Sequence, residues 1–306
     1  MRRSAPLTTM ADREGQGSPT DSRTLLRDAI AALTDAGIPD PRLDAELLLA
    51  YAARLTRAQL LTSPRILNDL QLARFNAMLA LRALRMPLAY ILRRREFYSL
   101  ELEVSPEVLI PRPETETLVS GALEFIAGRR DLRILDLGTG SGAIALALAV
   151  HAPDIAVVAT DISPAALVIA RANADRLGVT SRITFVLADC WSPLDPATSL
   201  GRFDLIVSNP PYIAEADLAS LEPEVRQYEP RIALTPGSDP LSFYRRIITG
   251  VADHLEPDGS LMLELGYGQA HPVSEILHLT GMHELAIISD LAGIPRVLHA
   301  QKAPTL

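Results

Sequence analysis

From Arg133 onward the chain repeats one pattern: a short, nearly uninterrupted apolar run, a loop, then a helix-forming segment. The runs are Ile134–Leu137, Ile155–Thr160, Ile183–Leu187, Leu205–Val207 and Ser260–Leu265, with helical stretches at Ala143–Val150, Pro164–Leu177 and through Tyr244 and Ile248. Strands apolar at every position must be buried on both faces, which requires a mainly parallel sheet with helices on either side. Ala286–Ile288 and Arg296–Leu298 read as a closing pair of edge strands, making seven in all. The expected fold class is therefore α/β, a doubly wound Rossmann-like sheet whose ligand crevice lies at the carboxyl ends of its strands.

Four marked features fall at those carboxyl ends. Strand one runs into Gly138-Thr139-Gly140-Ser141-Gly142, strand two ends at Asp161, strand three at Asp189-Cys190, and strand four at Asn209-Pro210-Pro211-Tyr212. A glycine loop lets backbone approach a ligand closely, and an acidic residue ending strand two, nineteen after Gly142, can take both hydroxyls of a ribose. That much suits NAD and S-adenosyl-L-methionine alike. The spacing is G-x-G-x-G, not G-x-G-x-x-G, and Asp136 sits two residues before the first glycine. A carboxylate there can hold the cationic amino group of a methionine moiety, which favours S-adenosyl-L-methionine, with S-adenosyl-L-homocysteine as product.

The fourth strand end points to the acceptor. Pro210 and Pro211 hold φ near −65° and donate no ladder hydrogen bonds, and Pro210 pushes Asn209 out of the helical region. A stiff strand end then presents the Asn209 amide and the Tyr212 ring to one cleft. The Asn209 side-chain oxygen and the Pro210 carbonyl can each accept one hydrogen of a planar NH2 group, while Tyr212 lies against its flat face. Acceptors that draw those hydrogens out of plane localise the nitrogen lone pair and aim it at an electrophile. Positioning and fixed dipoles would carry such catalysis, and no strong base is needed first. Taken alone, the run also suits a proline turn closing a core strand.

Upstream, Asp21 to about Leu92 shows helical periodicity and no strand signal. Leu25, Leu26, Ala29, Ile30 and Leu33 form one stripe ended by Gly37, and Asp40-Pro41 reads as an N-cap followed by proline in the first turn. A longer helix from about Asn68 should bury Leu72, Phe75 and Leu79. Residues 93–112 alternate and read as a hairpin connector, with one extended piece ending at Val104 and a second at Val108–Ile110 around Ser105-Pro106. Arg112-Pro113-Glu114-Thr115-Glu116 then opens a helix with Pro113 at its first position.

Composition removes several classes. No window approaches eighteen uninterrupted apolar residues, so no membrane partner is expected. The first twenty residues carry Arg2 and Arg3 without an apolar stretch behind them and read as a disordered leader, not a signal peptide. A single cysteine, Cys190, excludes an internal disulfide and fits a reducing cytoplasm. The six histidines show no metal-type spacing, and no metal is expected. With a net charge of −8 and Lys302 as the only lysine, no stable nucleic-acid partner is expected. Residues 21–105 nevertheless hold twelve arginines against ten acidic residues, a slight local basic excess.

These motifs together resemble the HemK/PrmC family, the protein-glutamine N5-methyltransferases that modify peptide chain release factors. The resemblance rests on Pro87 to Ile91, Glu96-Phe97, Leu109 to Glu116, Asp136 to Gly142, Asn209 to Tyr212 and Tyr228 to Arg231, nearly the whole chain beyond the leader. It implies a helical substrate-docking domain over 21–92, a β-hairpin linker over 93–112 and a class I methyltransferase domain over 113–302. It implies S-adenosyl-L-methionine as cofactor, held by Asp136, Gly138 to Gly142, Asp161, Asp189, Cys190 and Asn209. The substrate implied is the glutamine of a release-factor Gly-Gly-Gln loop, entering between the domains onto Asn209, Pro210, Pro211 and Tyr212, with Asn209, Pro210 and Tyr212 catalytic. A monomer is expected. Two departures stand out. Relatives often place an aromatic residue where this chain has Cys190, so either Cys190 or Trp191 lines the adenine; and Thr235 to Pro240 replaces a Gly-Gly-x-Asp-Gly loop. Two neighbouring chemistries share the cleft: methylation of a ribosomal-protein glutamine, and of an adenine-N6 or guanine-N2 amine in nucleic acid.

Overall fold

The computed structural model describes residues 21–197 and 201–302, so the expected leader lies outside the described residues. The described residues fall into two compact units, divided between Leu92 and Arg93.

The first unit is helical: α1 (Ser22–Asp35), α2 (Pro41–Ala53), α3 (Arg57–Thr62), α4 (Asp69–Ala83) and α5 (Leu88–Leu92). Asp21 caps α1 by accepting from the Thr24 amide at 2.9 Å, and the helix stops at Gly37, whose φ of +71° favours glycine. α2 begins on Pro41, but Asp40 makes no side-chain cap. Its φ of −118° and ψ of 62° lie outside the extended conformation that aims a capping carboxylate at the first-turn amides. Leu33, Leu48, Leu49 and Phe75 are buried in one core. On α4, Phe75 and Met78 are buried whereas Leu72 and Leu79 are only half-buried. A buried Arg82–Asp44 pair at 2.6 Å joins α4 to α2.

The second unit opens with the hairpin β1 (Arg95–Phe97) and β2 (Leu100–Leu102), joined by Tyr98-Ser99. Its turn therefore precedes the expected one at Ser105-Pro106, and Val108–Ile110 is not a strand. Both turn residues have positive φ, the two-residue geometry that matches strand twist. The Ile110 amide goes instead to Glu229 Oε2 at 3.3 Å. α6 (Thr115–Ile126) starts two residues beyond Pro113, which lies in the preceding turn and not at the first helical position.

Then follow β3 (Leu132–Leu137), α7 (Ala143–His151), β4 (Ile155–Asp161), α8 (Pro164–Leu177), β5 (Ile183–Leu187) and β6 (Phe203–Ser208). The short helices α9 (Pro223–Tyr228) and α10 (Arg231–Leu234) lead to α11 (Ser242–His254), β7 (Leu255–Glu264), α12 (Ala270–His278), β8 (Met282–Ser289) and β9 (Pro295–Lys302). The seven-stranded sheet has the order β5-β4-β3-β6-β7-β9-β8. β3 through β7 are parallel, and β9 is antiparallel to both β7 and β8. Of the closing pair only β8 is an edge, because β9 folds back between β8 and β7. β7 also begins five residues earlier than its apolar run, since Leu255 pairs with Phe203 ahead of a register shift.

Alternate residues of the central strands feed separate cores. Ile134, Leu205 and Val207 pack with residues of α6 and α7. Leu135, Leu137 and Ile206 pack with residues of α11 and α12. Leu205, Ile206 and Val207 are fully buried, each stabilising the sheet by about 1.5–3 kcal/mol on area grounds. That two-sided burial is why the strand periodicity vanishes in the sequence. Among the described residues no helix is long and apolar enough to cross a membrane.

Candidate active site

The strand order reverses between β3 and β6, which opens a crevice at their carboxyl ends. The loops leaving these two strands are the glycine loop and Asn209-Pro-Pro-Tyr212. Together with the ends of β4 and β5 they border a cavity of about 360 Å³, within the range of small-molecule sites, roughly 300–1,000 Å³.

Gly138, Gly140, Asp161, Asp189, Cys190, Asn209, Pro210 and Pro211 line this cavity. Asp136, Thr139, Ser141, Gly142 and Tyr212 do not; they stand behind it. The glycine loop is pinned by the Gly138 and Thr139 amides, which donate to the Thr160 carbonyl at 2.9 and 2.8 Å. Gly142, at φ +87°, lies so close to α7 that an added Cβ would meet Leu146 at 2.8 Å, so glycine is required there on both counts. From behind, buried Asn173 of α8 donates to the Ser141 carbonyl at 2.9 Å and binds the Glu103 backbone after β2.

The two acidic residues differ. Asp161 accepts from Gly140 N at 2.8 Å and Ser163 N at 2.9 Å. Its oxygens keep lone pairs free for hydroxyl donors in the cavity, and burial pushes its carboxyl above the usual range. Asp136 has no solvent exposure. Its Oδ2 accepts from Thr139 Oγ1 at 2.6 Å and Ala145 N at 3.2 Å, while Oδ1 is buried without a partner. Burial pushes this carboxyl up to about 7. A buried, partnerless carboxylate oxygen beneath the glycine loop fits a cationic amino group.

Beyond the end of β5, Cys190 and Trp191 point to different surroundings. Cys190 lines the cavity, and burial pushes its thiol up to about 11, so it presents an apolar wall, not a nucleophile. Trp191 turns away, stacks on His254 at 4.3 Å and donates to the Arg246 carbonyl at 2.8 Å. Arg246 also lines the cavity and pairs with Asp189 at 2.6 Å, a partnership no local motif announces.

At the end of β6, Ser208 Oγ donates to the Leu137 carbonyl at 2.7 Å, coupling the Asn209 strand to the glycine strand. Asn209 Nδ2 donates to Thr115 Oγ1 at 3.1 Å, leaving its Oδ1 for the cavity. The Tyr212 carbonyl accepts from Gln269 at 2.9 Å, and its ring lies against Gly266, where an added Cβ would approach it to 2.9 Å. Thr115, Arg246 and Glu229 are not expected from the sequence alone, although Thr115 and Glu229 lie inside the Arg112–Glu116 and Tyr228–Arg231 motifs.

Residues 24–92 match a family model described as PrmC N-terminal domain, and residues 118–222 match one described as Methyltransferase small domain. A release factor glutamine methyltransferase of Cereibacter sphaeroides is 43% identical over 277 residues, covering 90% of this chain and 96% of its own. One from Geobacter sulfurreducens is 44% identical over 267 residues, covering 87% and 91%. Among solved structures, the hMettl16 catalytic domain in complex with MAT2A 3'UTR hairpin 6 aligns with a TM-score of 0.52 at 20% identity, over 78% of this chain and 84% of that one. That likeness concerns the fold alone. Identity above 40% across nearly the full length of both curated relatives decides the matter: this chain belongs to the release factor glutamine methyltransferase family.

Proposed function

We propose that this protein transfers a methyl group from S-adenosyl-L-methionine to the side-chain N5 of the glutamine in the Gly-Gly-Gln motif of peptide chain release factors. The observation that carries the reading is the Asn209 amide at the cavity wall, its nitrogen held by Thr115 and its oxygen left to accept. When bound, the cofactor supplies an electrophilic methyl group. Asp136, behind the glycine loop with its partnerless Oδ1, supplies the negative charge that attracts its amino group, Asp161 takes the ribose hydroxyls, and Cys190 and Asp189 border the adenine end. Asn209 Oδ1 and the Pro210 carbonyl each accept one hydrogen of the glutamine amide, fixing its plane and directing its lone pair. Pro210 and Pro211 keep that pair of acceptors rigid, so little reorganisation is needed at the transition state. The helical unit docks the release factor, and the family relationship favours the release factor over a ribosomal protein or a nucleic acid as substrate.

The test is methyl transfer from isotopically labelled S-adenosyl-L-methionine to purified release factor, ribosomal proteins and tRNA in separate reactions. Label confined to the Gly-Gly-Gln peptide of the release factor, placed by tandem mass spectrometry, is the expected result. Label on a ribosomal protein or tRNA, with none on the release factor, overturns it.

A further inference from the structure

A purine needs a flat apolar face as well as a polar edge, and where the cavity would meet adenine the β5 end offers only a cysteine. Asp189 and Ser192 exchange backbone hydrogen bonds at 2.8 and 3.1 Å, closing a tight turn in which Cys190 takes a φ of +55°. Trp191 leaves this turn toward α11. Its indole stacks on His254 at 4.3 Å and donates to the Arg246 carbonyl at 2.8 Å. It also lies so close to Gly250 that an added Cβ would meet it at 2.4 Å. Glycine is unfavourable inside a helix, and here it makes room for the indole. Trp191 is thus committed to the helix and leaves the cavity to Cys190.

The same helix carries a replacement. Phe243, Arg246, Gly250 and His254 follow one another at spacings of three, four and four, which places them along one face of α11. Gly250 and His254 receive Trp191. Arg246 pairs with Asp189 at 2.6 Å, and its guanidinium carbon stands 5.1 Å from the centre of the Phe243 ring, within the range of a cation–aromatic contact. One arginine therefore touches both the carboxylate at the adenine end and the ring. Phe243 is half-buried and, among the described residues, is the only aromatic one that lines the cavity.

We propose, on the cofactor reading above, that Phe243 is a cofactor-binding residue that gives the adenine its aromatic face, and that Arg246, anchored on Asp189, holds the ring there. The pairing occupies one Asp189 oxygen and leaves the other to accept from the exocyclic amine of the base. A purine lying on Phe243 then meets an aromatic plane and a carboxylate acceptor together, an offset stack with a hydrogen bond at its edge. The aromatic wall comes from a helix 53 positions beyond Cys190, and so leaves no mark in the motif that ends β5.

The test uses the full chain and S-adenosyl-L-homocysteine, the product form of the cofactor. Phe243→Leu keeps an apolar side chain but loses the plane, and calorimetry should show affinity about tenfold lower. Phe243→Tyr should stay within about threefold of the wild type. Arg246→Met should weaken binding about threefold. S-Ribosyl-L-homocysteine, the same ligand without its base, should compete equally well for all four proteins. With ring-labelled phenylalanine, nuclear Overhauser contacts should run from the adenine H2 and H8 protons to one phenylalanine ring, and should vanish in Phe243→Tyr while the ligand stays bound. A ring that only shapes the helix would weaken both ligands alike and give no such contact. Equal losses for the two ligands in Phe243→Leu, or contacts from the base to the Trp191 indole in place of a phenylalanine, overturn the proposal while methylation of the release factor stands. A wild type that does not bind S-adenosyl-L-homocysteine overturns the cofactor reading itself, and the proposal with it. Should Phe243→Leu not fold, the wild-type contacts and their loss in Phe243→Tyr decide the matter.

Discussion

Arg112 and Glu229, 117 positions apart, form an ion pair at 2.6 Å with the Glu229 carboxyl 1% exposed. The other Glu229 oxygen accepts the Ile110 amide at 3.3 Å. This carboxylate therefore ties the segment before α6, which brings Val108 and Leu109 to the cavity, to the one that brings Pro230 and Ala233. Removing one partner of such a pair leaves the other charge poorly compensated. Glu229→Ala should weaken S-adenosyl-L-methionine binding about tenfold and lower the thermal midpoint, with Glu229→Gln milder on both. Calorimetry and a thermal melt showing both unchanged would mean that the cavity wall does not depend on this clamp.

Asp161 holds the Gly140 amide and faces the cavity at once. On the proposed function Asp161 also takes the ribose hydroxyls, so Asp161→Ala should remove charged hydrogen bonds, loosen the glycine loop and weaken cofactor binding by about 1.5–3 kcal/mol. Calorimetry on the purified variant reads this directly. Full affinity would remove Asp161 from the ribose site.

The parallel core and the marked strand ends were legible because both-sided burial forces apolar runs, and because β3 and β6 flank the reversal of strand order. What the sequence hides has one physical character. Thr115 with Asn209, Arg246 with Asp189, and Arg112 with Glu229 are pairs of ordinary residues 94, 57 and 117 positions apart. No local period or spacing encodes such a contact. The hairpin turn is hidden for a related reason: Tyr98 and Ser99 take positive φ without glycine or asparagine to signal it. The early start of β7 is hidden by Pro257, Asp258 and Gly259, which read as a turn although Leu255 already pairs with Phe203.

Asp136 should make cofactor binding pH-dependent. Its carboxyl is raised to about 7 by burial, with Asp161 nearby adding to the effect. A bound cationic amino group stabilises the carboxylate and lowers that value. Below about 7 the free protein must therefore give up a proton on binding, and affinity should fall by about tenfold per pH unit toward pH 5. Titrations at pH 6 in buffers of different ionisation enthalpy should report close to one proton released. Asp136→Asn should bind more weakly at pH 8 and lose the dependence. If the slope survives in Asp136→Asn, another group governs it.

Asn209 and Tyr212 occupy different places beyond the end of β6. Asn209 reaches the cavity, whereas the Tyr212 ring stands behind it, against Gly266 and the core that includes Leu265 and Tyr244. Asn209→Ala removes an acceptor that matters most when the glutamine nitrogen is attacking, so kcat should fall about 10²–10³-fold. The cofactor KM should rise much less. Tyr212→Phe deletes only a long hydrogen bond to Glu264, 3.4 Å, so its loss should stay within about threefold. Tyr212→Ala empties a half-buried ring site beside Gly266 and frees the two prolines from their anchor. It should cost activity nearly as much as Asn209→Ala and lower the thermal midpoint as well. Comparing the two tyrosine variants separates ring from hydroxyl. If Tyr212→Phe proves as damaging as Tyr212→Ala, the hydroxyl takes part through Glu264 in holding or moving a proton, and the ring is not what the site needs.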